Sequence, residues 1–181
     1  MSEGRSSENP EQQSDRVLKA SLDESQRFER WIEEHYQVVY RYAFRLSRDR
    51  ASAEDLTQQV FLNAWRHQGQ LRDEGKSRSW LLSTTRNQFL KDLRKSQTVQ
   101  FSKWEAESGE LPDPVGQSSP DVGLDLQEIL LQMTPEYRVV LLMFFFEGLS
   151  YKEIAADLGI KIGTVMSRLS RAKKQLHGLW S

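Results

Sequence analysis

The 181-residue chain contains no cysteine. Disulfides, thiolate metal sites and cysteine nucleophiles are therefore excluded. Histidine is scarce as well: His35, His67 and His177 stand far apart, without the close spacing that metal ligands use. Five prolines occur, and three of them (Pro112, Pro114, Pro120) fall close together. Long apolar runs are missing too. The longest, Val139 to Phe146, falls well short of the roughly 20 residues needed to cross a bilayer. The N-terminus is polar and charged, unlike a secretory signal. No phosphate loop, catalytic dyad or metal set is present. These absences point to a cytoplasmic protein that is not an enzyme, with no catalytic residues, no metal, no cofactor and no membrane partner.

Charge of one sign is missing in two places. Between Trp104 and Tyr137 there are eight acidic residues and no basic one. From Lys161 to Ser181 there are five Lys or Arg and no acidic residue. The net charge of −1 thus hides a bipolar chain, whose basic end suits phosphate while the total stays near zero. Opposed patches of this kind suggest that the acidic stretch covers the basic helix in the free protein.

Hydrophobic spacing gives an all-α chain with neither repeats nor strand alternation. Residues 1–22 are polar and lack an apolar period, which predicts a disordered tail. A helical domain is expected over 23–96. Its first helix carries Phe28, Trp31, Ile32, His35, Val39, Tyr42, Ala43 and Leu46 at spacings of three or four residues, apart from adjacent pairs. A second opens at a Ser52/Asp55 capping box and buries Leu56, Val60 and Ala64. A loop from Gln68 to Ser79 follows. Ser79 is then placed to cap a third helix from Trp80 to about Ser96, with Leu82, Phe89 and Leu93 inward and Arg86, Lys91, Arg94 and Lys95 outward. Residues 97–123 hold the clustered prolines and read as a flexible acidic linker. A second domain is expected over 124–181. Leu126, Ile129, Leu130 and Met133 form one stripe. Thr134-Pro135-Glu136 starts a helix, Gly148 ends it, and Ser150/Glu153 form another capping box.

The end of the chain has the form of a helix-turn-helix. A short amphipathic helix from Ser150, a glycine turn and a basic helix follow one another directly. The last helix offers Ser167, Arg168, Ser170, Arg171 and Lys174 to base edges and phosphates.

Three stretches together resemble the extracytoplasmic-function (ECF) group of the bacterial sigma-70 family. Ala53-Glu-Asp-Leu-Thr-Gln-Gln-Val-Phe-Leu-Asn-Ala-Trp65 is similar to region 2.2. Ser79-Trp-Leu-Leu-Ser-Thr-Thr-Arg-Asn-Gln-Phe-Leu-Lys-Asp-Leu-Arg94 is similar to regions 2.3 and 2.4. Thr134-Pro-Glu, Leu149-Ser-Tyr-Lys-Glu-Ile-Ala and Gly163-Thr-Val-Met-Ser-Arg-Leu-Ser-Arg-Ala172 are similar to region 4. The resemblance covers about 27–100 and 124–178. It implies a region 2 bundle and a region 4 helix-turn-helix joined by the family's variable linker. It also implies a promoter-specific initiation factor that binds core RNA polymerase and recognises −10 and −35 elements. The alternative is a helix-turn-helix regulator that binds duplex DNA without polymerase.

The resemblance assigns roles residue by residue. Asp55, Gln58, Gln59, Phe61 and Leu62 would meet the β′ clamp of core polymerase, although the family often has Glu in place of Gln59. Leu71, Lys76, Arg78, Trp80, Thr84, Thr85, Arg86, Asn87, Lys91, Arg94 and Lys95 would serve the −10 element. Asn87 presents both a donor and an acceptor to a base edge, and the cations would hold phosphates. Trp80 reads either as a core anchor or as a strand-separating wedge. Relatives often carry Ile-Ala in place of Thr84-Thr85. Tyr151, Lys152, Thr164, Val165, Met166, Ser167, Arg168, Ser170, Arg171 and Lys174 would serve the −35 element, with Arg168 alternatively turned back into its domain. Met166 stands where Arg or Lys is common, and Lys161 where a capping Ser is common. The helix over Val139–Phe146 would offer a surface to the β flap, and an anti-sigma factor is implied as a further partner.

Overall fold

After Pro10, neither glycine nor proline occurs until Gly69. Nothing in that stretch interrupts helical hydrogen bonding, and the first helix is correspondingly long. The computed structural model describes residues 10–67, 73–95 and 126–178. In it α1 runs Pro10–Ser47. The expected disordered tail is therefore helical from Pro10 onward, while residues 1–9 lie outside the described residues. Pro10 suits a first helical position, where its missing N–H costs no bond. The polar start reflects a helix with little to bury, since Leu18 and Leu22 are both exposed.

α1 ends at Arg48, whose φ of 69° turns the chain while its N–H bonds Phe44 O at 3.0 Å. α2 then runs Arg50–His67. Its start is held by Asp49, whose carboxylate accepts the Ser52 N–H at 2.8 Å. That bond keeps the Asp49 carboxyl below its ordinary range. The predicted Ser52/Asp55 box is thus displaced by a better acceptor three residues before Ser52. A short 3-10 turn at Glu74–Lys76 is capped by Asp73, which accepts the Gly75 N–H at 3.0 Å. α3 follows directly over Ser77–Lys95, so Ser79 does not cap it; the Ser79 hydroxyl donates to Lys76 O at 3.0 Å instead.

These three helices close on Val39, Ala43, Ala53, Leu56, Val60, Phe61, Ala64 and Leu81. The i, i+4 spacing of Leu56, Val60 and Ala64 puts them on one buried face, as their sequence pattern requires. Trp31 and Trp80 meet at a ring separation of 6.2 Å, so Trp80 is a packing anchor in this arrangement.

The second half begins with α4, Leu126–Gln132, and α5, Pro135–Phe145. Pro135 occupies the start of α5, but the Thr134 hydroxyl makes no capping bond. The chain leaves α5 through Gly148, at φ 72°. α6, Tyr151–Leu158, opens on the predicted capping box: the Ser150 N–H donates to Glu153 Oε2 at 2.8 Å and the Glu153 N–H donates back to Ser150 Oγ at 3.3 Å. Gly159, at φ 67°, ends α6, and α7 runs Ile162–Gly178. Ile129, Leu130, Met133, Leu142, Met143, Ile154, Val165, Leu169 and Ala172 form the core of this half.

The two halves meet. α1 touches α4 and α5, and Tyr42, Leu46, Leu82 and Leu90 join the buried cluster of the second half. The expected linker over 97–123, and its proposed cover over the basic helix, lie outside the described residues. Among the described residues no helix is long and apolar enough to cross a membrane.

Candidate polymerase and nucleic-acid interfaces

Position on a helix decides which predicted residues are available. On α2, Asp55, Gln58, Gln59 and Leu62 are exposed, opposite the buried Leu56, Val60 and Ala64. Gln59 is tied to α3 by a bond from Gln88 at 3.0 Å. Phe61 is buried. It stacks at 6.0 Å on Tyr36 and meets Phe28 edge-on, so it supports this face from below. Beside the face lies an open groove of about 320 Å³. Asp55, Gln59 and Asp92 rim it, and Leu56, Phe89 and Leu93 supply its apolar wall. Such a groove combines negative charge with apolar contact, a combination suited to the stem and head of a cationic side chain.

On α3, Lys76 (just before it), Arg78, Asn87, Lys91, Arg94 and Lys95 are exposed, while Leu71 lies outside the described residues. Thr84 and Thr85 do not present free hydroxyls. Both bond backbone carbonyls one turn back, Trp80 O at 2.8 Å and Leu81 O at 2.7 Å, and Thr85 is fully buried. Arg86 departs furthest from expectation. It was expected to point outward, yet its side chain is only 2 % exposed. Its Nη1 meets Glu147 at 2.5 Å and its Nη2 meets Asp157 at 2.8 Å, both carboxylates belonging to the second half. Tyr42 also donates to Glu147, at 2.5 Å. Burial raises the Glu147 carboxyl above its ordinary range, against the pull of Arg86. Burial and the Glu147 charge hold the Tyr42 phenol well above its ordinary range, so it remains a donor.

The sequence carried a signal for this that residue type obscured. Arg86 lies midway between Leu82 and Leu90 at i, i+4 and i+8, so it shares the inward stripe. Glu147 and Asp157 had no such signal, since their partner lies 61 and 71 residues away.

On α7 the predicted residues divide cleanly. Met166, Ser167, Ser170, Arg171 and Lys174 are exposed, and Thr164 is half-buried. Val165 and Arg168 are buried with Leu169 and Ala172. Val165 is therefore a core residue, and Arg168 turns back into its domain, the alternative already open in the sequence. Arg171 also bonds the Tyr137 hydroxyl at 3.3 Å. Ile162, exposed at the first position of α7, joins Met166 on this face and was not singled out. Tyr151 is half-buried against Phe144 at 5.4 Å, whereas Lys152 is exposed.

Comparison with known proteins follows the same division. Residues 31–99 match the family model "Sigma-70 region 2" and residues 123–176 match "Sigma-70, region 4". The ECF RNA polymerase sigma factor SigL of Mycobacterium tuberculosis is 35% identical over 169 residues, covering 90% of this chain and 93% of that protein. The chain belongs to the ECF group of the sigma-70 family. SigE of Mycolicibacterium smegmatis is 36% identical over 151 residues, and there the chain spans 58% of the relative's length. Among solved structures, the sigma factor RpoE of Bartonella quintana, crystallised with the anti-sigma factor NepR, is 28% identical with a TM-score of 0.58. That match covers 84% of this chain and 95% of RpoE. This sigma factor is a promoter-specific initiation factor that works with core RNA polymerase, and the reading as a stand-alone regulator is not favoured.

Proposed function

We propose that this sigma factor divides promoter recognition between its two halves. The exposed α2 face of Asp55, Gln58, Gln59 and Leu62 docks on the β′ clamp, with the adjoining acidic groove receiving a basic side chain. Asn87 reads the −10 strand, while Lys76, Arg78, Lys91, Arg94 and Lys95 hold its phosphates. In the second half, α7 enters the major groove of the −35 element with Met166, Ser167, Ser170, Arg171 and Lys174 outward, and Lys152 meets a flanking phosphate. The α5 region offers its surface to the β flap. The factor acts in the cytoplasm without catalytic chemistry of its own. An anti-sigma factor is a fitting inhibitory partner, since RpoE of Bartonella quintana was crystallised with one.

The observation that carries this reading is the two-sidedness of α7. One side is buried through Val165, Leu169 and Ala172, and the other leaves polar and basic residues exposed with no acidic residue on the helix. A helix so anchored presents a rigid reading edge. The test is transcription by purified chain plus core polymerase, with sequencing of the transcript 5′ ends. Starts that share two boxes upstream are expected. Failure both to associate with core and to direct such starts would overturn the reading.

A further inference from the structure

We propose that Ile162 and Met166 read the −35 element through thymine methyl groups, so that the second half recognises its box by apolar contact rather than by hydrogen bonds to base edges. The proposal rests on the functional reading above, in which α7 enters the major groove, and names what the helix recognises there.

The start of α7 differs from the rest of it. Between Ile162 and Ser167 there is no charged side chain, and the cations of the helix all lie further along it. A recognition helix contacts base edges with its N-terminal residues, so the reading position falls to the uncharged end. There Val165 is buried and Thr164 half-buried. Ser167 is exposed, but its hydroxyl donates to Thr164 O at 3.0 Å. What remains outward is Ile162 at 43 % exposure, Met166 at 53 %, and Gly163 between them. Ile162 and Met166 stand one turn apart, so they share one face.

Gly163 adds a separate observation. A Cβ at this position would meet no atom within 4 Å, so nothing inside the chain requires a glycine. A glycine within a helix costs stability relative to alanine. Its use lies outside: without a side chain, it lets another surface approach the helix backbone between the two apolar groups. The strip is a shallow apolar seat, fixed from behind by Val165, Leu169 and Ala172.

The chemistry of the seat names the base. Isoleucine has neither donor nor acceptor, and methionine has only a weak acceptor. Laid on the major-groove edge of guanine, adenine or cytosine, they would cover hydrogen-bonding groups without replacing the bonds to water, which is costly. Thymine alone presents an apolar group on that edge, its C5 methyl. The same pair therefore attracts thymine and penalises the other bases. Arg171 and Lys174, exposed further along α7, suit phosphates and add affinity without base preference. Lys173 lies over the rings of Phe144 and Phe145 at 5.2 and 5.6 Å, tied to its own half. Lys161, exposed just ahead of the helix, is a flexible point charge that also suits a phosphate.

Thymine differs from uracil by that methyl alone, which sets the test. The full chain with core polymerase is assayed for binding to a promoter fragment taken from the mapped starts. Thymines of the −35 box are replaced by uracil one at a time, on either strand. At least one replacement is expected to weaken binding roughly fourfold, the worth of one buried methyl. Where cytosine in place of that thymine weakens binding, 5-methylcytosine is expected to recover part of the loss. In Met166→Ala or Ile162→Ala the difference between thymine and uracil should shrink toward none, while Met166→Leu, still apolar, keeps it. Both side chains are exposed, so these truncations leave the core of the half in place. The effect of uracil in the −10 box should be the same in Met166→Ala and wild type. Equal binding of thymine and uracil at every −35 position, or a −35 box with no A·T pair, would overturn the proposal while −35 recognition stands. Binding and initiation indifferent to a scrambled −35 box would instead overturn the reading of α7 itself, and the proposal with it.

Discussion

The two basic helices of this sigma factor, α3 and α7, place their inward arginines differently. Arg86 on α3 crosses into the other half and is held there by Glu147 and Asp157. Arg168 on α7 stays buried within its own half. Both interrupt an apolar stripe, one between Leu82 and Leu90, the other beside Val165, Leu169 and Ala172. The consequence is that α3 draws ion-pair partners from the other half, while its Asn87, Lys91, Arg94 and Lys95 stay exposed like the outward residues of α7. A helix that completes its packing locally can bind at once. One that borrows partners from another module can be regulated by that module.

The sharpest way to probe the α7 side is Met166→Arg. Met166 is 53 % exposed on the outward face and offers no hydrogen-bond donor. An arginine there can make a bidentate contact to guanine, worth about 1–3 kcal/mol of discrimination between bases. In vitro selection of promoters by the variant holoenzyme should then enrich guanine at one −35 position, with the −10 preference unaltered. An identical −35 preference in variant and wild type would remove Met166 from the reading edge.

That contrast also explains what the sequence made legible. The α2 stripe of Leu56, Val60 and Ala64, the Ser150/Glu153 box and the Gly148 turn follow local rules of spacing and backbone freedom, and each stands where those rules put it. Local competition spoiled other expectations. Asp49 outbids Ser52 for the start of α2, and the Asp73 turn feeds α3 from Ser77 before Ser79 is reached. The outward expectation for Arg86 failed because residue type was weighed above register. Register alone would have turned it inward, yet nothing local names its partners. The Thr84 and Thr85 hydroxyls are the reverse case: a helix offers them its own carbonyls one turn back, a competing acceptor that any interior threonine meets.

A smaller effect tests how far local capping holds the helix-turn-helix. Ser150→Ala removes the side-chain half of the α6 capping box and should cost about 1 kcal/mol of stability. Glu153 completes that box, and the Ser150 hydroxyl and N–H hold its carboxyl below the ordinary 4.5. Its contribution is therefore fully present above that ordinary value and is lost as pH falls through the lower folded value. Thermal unfolding of Glu153→Gln should lack this component of acid sensitivity. Equal acid slopes in the variant and wild type would show that the box does not support α6 as drawn.

The smallest effect comes from how the halves end their helices. In the second half, α5 and α6 leave through Gly148 and Gly159, both at positive φ. In the first half, α1 leaves through Arg48 at φ 69°, in the region where a side chain crowds its own backbone. Glycine at that position relieves the crowding but adds freedom to the unfolded chain, so the two effects partly oppose each other. The helix-ending geometry favours relief, and Arg48→Gly should stabilise the protein by about 0.5–1 kcal/mol. Arg48 also bears on Arg138, which burial, with some help from the Arg48 charge, lowers to about 10. Removing Arg48 takes away that like charge, which adds to the gain. For a chain of this size the sum corresponds to a rise in unfolding temperature of about 2–4 °C. A fall in unfolding temperature would mean that the Arg48 side chain supports the turn more than its backbone strains it.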